Sequence, residues 1–248
     1  MRKTLIALLF CTTICSAAAA QDKETQTPDF RKSFTVKFAP AGLGIGKATF
    51  GGEFNFKRKS AITLLLGAPF DKTNSITYDS KSSDIISSAR SAMLGYRYYL
   101  GKKATSGFYL EPYAKYLKFT AAGFLNADLN WRAARFDSHF EYEGYGAGLQ
   151  LGFQFYIARL VAIDLFLVGP EANTAKFNST STDVYNNIPW SLADSDQAAQ
   201  DIHDKLKDIP YAGNKIDVTV NTNTKTVFTA YKGFAPGFRS GISVGIRF

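Results

Sequence analysis

Cysteine, histidine, methionine and tryptophan are scarce in this 248-residue chain, with two of each. Both cysteines, Cys11 and Cys15, fall in a segment that reads as a leader rather than as part of a fold. Arg2 and Lys3 supply a positive start, Leu5 to Phe10 begin an apolar core that runs through Ile14, and Ser16 to Ala20 are small. The polar run Gln21-Asp22-Lys23-Glu24 follows, so residues 1–20 are expected to be a cleaved secretory signal peptide. The bulky Phe10 and Ile14 before the cysteines argue against a lipoprotein signal. Without the leader no thiol remains, which excludes disulfides and thiolate chemistry even in an oxidising compartment. The mature chain also lacks a long apolar run. Stretches such as Ile62–Leu66 and Ile163–Val168 fall far short of the ~18 residues a spanning helix needs. Against 21 acidic groups stand 29 basic ones, two of them in the leader. That moderate excess suits anionic lipid headgroups as neighbours. Nucleic acid is not an expected partner, because the chain is exported and carries no binding motif.

Aromatic residues and glycine are abundant: 21 Phe, 13 Tyr and 20 Gly. They fall in segments of period two, the spacing of a strand with unlike faces. The clearest segment is the last, where Phe238, Ser240, Ile242, Val244, Ile246 and Phe248 oppose Arg239, Gly241, Ser243, Gly245 and Arg247. Seven more segments alternate the same way. Their apolar faces are Phe34–Phe38, Ala48–Phe56, Ile62–Leu66, Leu94–Leu100, Phe108–Ala114, Leu149–Phe155 and Val161–Leu167, each taken at every second residue. The opposite faces carry Lys37, Glu53, Arg97, Glu111, Lys115, Gln150, Gln154 and Asp164. A polar interior with an apolar exterior is the inverted arrangement of a membrane barrel, where ring closure pairs every backbone group.

The connections alternate in length. Links near Lys57–Ser60, Gly101–Ser106 and Ile157–Arg159 are short, whereas residues 70–89, 121–139 and 170–236 are long; the first outer link, near Gly44–Gly46, is also short. Short inner turns and long outer loops are the pattern of outer-membrane barrels. Phe34, Phe56, Tyr98, Phe108, Phe155 and Phe248 fall at the inner strand ends, as an interfacial girdle requires. The expected fold is therefore all-β, an antiparallel up-and-down transmembrane barrel of eight strands. Residues 21–32 are expected to form a periplasmic linker and 33–248 the barrel, with an extracellular loop over 170–236. An extra hairpin at Ile216–Val220 and Val227–Tyr231 would extend the last strand or make the barrel ten-stranded. Pro40 is expected to end the first strand, while Pro112 demands a bulge or a gap in pairing. Ser191 to about Asp208 reads as a short helix with Leu192, Ala199, Ile202, Leu206 and Ile209 on one stripe.

The final GFRSGISVGIRF resembles the C-terminal assembly signal of outer-membrane β-barrels, carried by Phe238, Ile242, Val244, Ile246 and the terminal Phe248. Leu94 to Leu117, LGYRYYLGKKATSGFYLEPYAKYL, is similar to the central hairpin of a poorly characterised family of small, eight-stranded bacterial outer-membrane barrels. The resemblance implies export to the outer membrane, insertion by the barrel-assembly machinery, and contact with outer-membrane lipids including lipopolysaccharide. It implies no activity.

The ten lumenal polar residues, including Arg239 and Arg247, form either a conduit or a plug. Eight strands leave room for side chains to fill the interior, so a structural plug is expected over an open channel. A row of Asp137, His139, Glu141 and Glu143 would share one face and could attract a divalent cation, but a row is not a ligand cage. His139 beside Ser138 points to the opposite face of a strand, His203 has no nucleophile near it, and the His-x-Ser arrangement of lipid A deacylating barrels is absent. No enzyme activity, cofactor or metal is expected. The reading is a structural or surface-interaction protein acting through its outer loops, with a narrow passive channel, or less readily a lipid-modifying enzyme, as the alternatives. A soluble lipocalin-like barrel is the rival fold, and it would need an apolar interior.

Overall fold

A computed structural model describes residues 30–78, 81–129, 132–185, 187–207 and 215–248. The leader, both cysteines and most of the linker lie outside these residues, as do Ile209 and Pro210. The strands are β1 (Ser33–Ala39), β2 (Lys47–Lys57), β3 (Ser60–Pro69), β4 (Lys72–Tyr78), β5 (Lys81–Tyr99), β6 (Gly107–Leu129), β7 (Arg132–Ile157), β8 (Val161–Asp183), β9 (Asp217–Asn221) and β10 (Thr226–Arg247). One α-helix, α1, spans Leu192–Leu206.

Eight of these strands close into an antiparallel ring in the order β1-β2-β3-β5-β6-β7-β8-β10. Thr35 to Phe38 pair with Arg247 to Val244 to shut it, and the amide of Phe248 donates to the Phe34 carbonyl at 2.7 Å. The ten-stranded alternative does not form. β4 pairs with β5 alone and β9 with β10 alone, so both are flanges on the wall rather than staves of the ring.

Local chemistry explains the turns. Pro40 ends β1 and opens a 3-10 turn over Pro40–Ile45, which Gly46 terminates at φ 74°. Between β7 and β8, Ala158 and Arg159 sit at φ 50° and 61°, and the Leu160 amide bonds back to Ile157. Two successive positive φ values make the tight turn whose twist matches a hairpin. Pro112 produces the expected gap: β5 pairs with β6 at Gly95–Tyr113 and again at Tyr98–Leu110, with no ladder pair between.

The expected outer loops are largely strand. β6, β7, β8 and β10 run 23, 26, 23 and 22 residues, about twice the ~9–11 that a tilted strand needs to cross a bilayer. β1, β2 and β3 have 7, 11 and 10. The wall is therefore low on one side. On the other it rises into a sheet, β4-β5-β6-β7-β8-β10-β9, whose edge strands β4 and β9 share no ladder among the described residues.

Candidate functional site

Strand parity sends Lys37, Glu53, Arg97, Glu111, Gln150, Gln154 and Asp164 inward, each 4% exposed or less. They meet in one network at the waist of the ring. The Lys37 ammonium donates to Glu53 at 2.5 Å, Gln154 at 2.5 Å and Asp164 at 2.8 Å. Arg97 spreads its guanidinium over three carboxylates: Glu111 at 2.6 and 2.8 Å, Asp164 at 2.9 Å and Glu53 at 3.1 Å. Its Cζ also lies 3.7 Å from the centre of the Tyr109 ring. Two cations thus face three carboxylates. Hydroxyl donors offset the excess negative charge, with Tyr99 donating to Glu53 at 2.5 Å, Tyr109 to Asp164 at 2.6 Å and Thr63 to Glu111. Buried charge persists where it is paired and hydrogen-bonded, and each of the five charged groups here has such partners, although the Gln150 side-chain oxygen is left without one. A cavity beside it, lined by Lys37, Arg97, Glu111 and Asp164 among others, holds about 10 Å³, at the lower limit for one water.

Three of the expected lumenal residues stand apart from the waist. Lys115 pairs with Glu171, which also accepts from the Tyr113 hydroxyl at 2.8 Å. Arg239 lies over the Phe166 and Tyr113 rings, and Arg247 over Tyr156. Tyr99, Tyr109 and Glu171 are hydrogen-bonded members of the interior that a count of charged and amide residues misses. The tyrosines sat on the inward face, and their signal was the glycines opposite: a Cβ at Gly152 or Gly148 would collide with Tyr109 or Tyr113. Phe238, Ile242, Val244, Ile246 and Phe248 face outward, the last 75% exposed.

Polarity changes along the wall. Below, β7 presents Ile157, Phe155, Phe153, Leu151, Leu149, Ala147 and Tyr145 outward while Gln154 and Gln150 point in. Above, it turns Glu143, Glu141, His139 and Asp137 outward. Its inward residues now include Phe140, which packs on Phe119 and Phe177, and Phe136, which packs on Trp190. The change falls on one cross-strand row, Arg90–Lys118–Glu143–Lys176–Lys232, which crosses β5, β6, β7, β8 and β10. The acidic row does not converge: His139 lies 3.5 Å from Asp137 while Glu141 pairs with Lys118, and no metal-holding cluster forms among the described residues. Ser138, on the opposite face, bonds to Ser181 rather than to a histidine.

At the top, α1 closes against the sheet. Ser191 caps it, its hydroxyl accepting from the Asp194 amide while the Asp194 carboxylate accepts from the Ser191 amide. The helix buries Ser195 and Ala198, while Leu192 of the expected stripe is 78% exposed and Ala199 half-buried; the side chains of Ile202 and Leu206, and Ile209, lie outside what the structure describes. Trp190, just before the cap, fills the core with Ala134 and Val227. Its indole donates to Asp183 at 3.0 Å. Burial would raise the pKa of Asp183. The amides of Tyr185 and Arg135, the indole and the Lys225 ammonium together hold it below the ordinary carboxylate value.

These features define a closed eight-stranded antiparallel barrel with a charged waist, an apolar outer band and a raised, lidded sheet. No protein family and no curated protein matches the chain. Among solved structures it is similar to the crystal structure of CarO from Acinetobacter baumannii, with 14% identity over 90% of this chain and 99% of that one and a TM-score of 0.37.

Proposed function

We propose that this chain is an integral outer-membrane barrel whose lumen is a structural plug, and that it works by displaying its raised sheet and α1 outside the cell. The observation that carries this reading is the inverted polarity of the lower wall: carboxylates and cations locked together inside, phenylalanine, leucine and isoleucine outside. Outward Phe34, Tyr98, Phe108 and Phe248 at the short-turn end match an interfacial girdle. Signal-peptide export, insertion through the C-terminal segment ending at Phe248, and contact with outer-membrane lipids belong to the same reading. So do membership of the small-barrel family resembled by Leu94–Leu117 and the assignment of no reaction or cofactor. The waist network supports a plug over a passive channel, because opening it would separate buried charges.

Two measurements test this. In isolated outer membranes the protein should run as a compact band on SDS gels that shifts on boiling, and recovery as an unshifted soluble periplasmic protein would refute the location. In planar bilayers the refolded protein should be silent, whereas steady single-channel openings would replace the plug by the channel.

A further inference from the structure

The row at the polarity change carries four cations and one carboxylate. Arg90 stands directly opposite Lys118, and Lys176 directly opposite Lys232, with Glu143 between the two pairs. Like charges in direct cross-strand register destabilise a sheet. Glu141 relieves Lys118, but among the described residues no carboxylate lies within ion-pair distance of Arg90, Lys176 or Lys232. All four cations point outward; the next outward residues down the five strands are Ala92, Tyr116, Tyr145, Thr174 and Phe234, apolar or aromatic in all but Thr174. Aromatic side chains of this kind mark the level where hydrocarbon gives way to headgroups. With strands ~4.8 Å apart, the two cationic pairs are separated by roughly 10 Å, and each pair spans about 5 Å.

We propose that Arg90 with Lys118, and Lys176 with Lys232, form two binding points for the phosphate groups of outer-leaflet lipopolysaccharide. This rests on the membrane reading above. A phosphate bridging each pair converts a cross-strand repulsion into charge-assisted hydrogen bonds. The acyl chains then lie along the apolar band beneath, and Tyr116 and Tyr145 occupy the headgroup boundary. Glu143 keeps the two anions apart and accepts from the Tyr116 hydroxyl at 3.0 Å.

The test is native mass spectrometry of the folded full-length protein in neutral detergent, offered bisphosphorylated lipid A or the same lipid dephosphorylated. The wild-type chain should retain the phosphorylated form selectively. Lys176→Gln with Lys232→Gln should lower retention about tenfold, and adding Arg90→Gln and Lys118→Gln should abolish it. Substituting Lys57, Arg58 and Lys59 at the opposite rim should leave it unchanged. Equal retention by the fourfold variant, equal retention of the dephosphorylated lipid, or displacement by millimolar inorganic phosphate would each overturn the assignment. The boiling shift of the fourfold variant reports its folding. Membrane fractionation of the wild type reports the underlying location independently of any lipid result.

Discussion

The waist and the raised sheet are built from the same strands, yet they solve opposite problems. At the waist β6, β7 and β8 turn Glu111, Gln150, Gln154 and Asp164 inward and apolar residues outward. A few residues further along, the same strands turn Phe119, Phe140 and Phe177 inward and Lys118, Glu141 and His139 outward. A pleated strand imposes the period of two but is indifferent to which face is apolar. The solvent decides. Below the Arg90–Lys232 row the wall is apolar outside and polar inside; above it the polarity is reversed, with a helix packed on the inner face.

That contrast breaks most severely at Arg97. Its guanidinium is shared by Glu53, Glu111 and Asp164, so Arg97→Met leaves Glu53 and Asp164 with Lys37 as their ammonium partner and strips Glu111 of its cation. A loss of about 3–5 kcal/mol is expected, read as a lower urea midpoint of the refolded protein and a weakened boiling shift. Trp190→Ala should cost about 3 kcal/mol in the upper region by emptying the core beside Ala134 and Val227. The boiling shift should survive it, and its loss would show that the two regions fold as one. Asp183 supplies a finer separation. Its carboxyl is held below the ordinary value, so its contribution is present above about pH 4 and disappears as pH falls through the folded-state pKa. In a Trp131→Phe background, Trp190 emission should shift to the red on acidification below about pH 4. Asp183→Asn should abolish that pH dependence while the waist stays intact. The smallest effect is expected at the cap, where Ser191→Ala should lower helix stability by about 1 kcal/mol, measured as faster proteolysis between α1 and β9.

The lower barrel was legible from alternation because every second residue in Phe34–Phe38 and Ile62–Leu66, and all but Ser240 in Phe238–Phe248, is apolar on the outside, and parity alone placed Lys37, Glu53 and Asp164 in the lumen. The upper strands were not legible by the same rule. Asp137, His139, Glu141 and Glu143 alternate on one extended face, but with no apolar outer side to follow, the apolar face ends at Leu149 and residues 121–139 read as a loop. Glu171 was hidden for a different reason. Leu167 and Val168 are both exposed, and the register between β7 and β8 slips there, so a bulge reverses the parity of everything after it. The helix was legible from its Ser191 cap and period, but Trp190, which fills the core beside Ala198, was not, because it lies before the helix begins, and Leu192 of the expected stripe points to solvent.

Ring closure has a consequence in time rather than in space. The β1–β10 seam joins residues 35–38 to residues 244–247, the greatest chain separation of any ladder, and it holds four register pairs where β8 with β10 holds twenty. Contacts between near neighbours such as β6 and β7 cost little loop entropy and form early, whereas a short ladder between distant segments gains little until everything between is in place. The long hairpins are therefore expected to assemble first as an open ribbon that already carries β10 on β8, with the four-pair β1–β10 seam closing last.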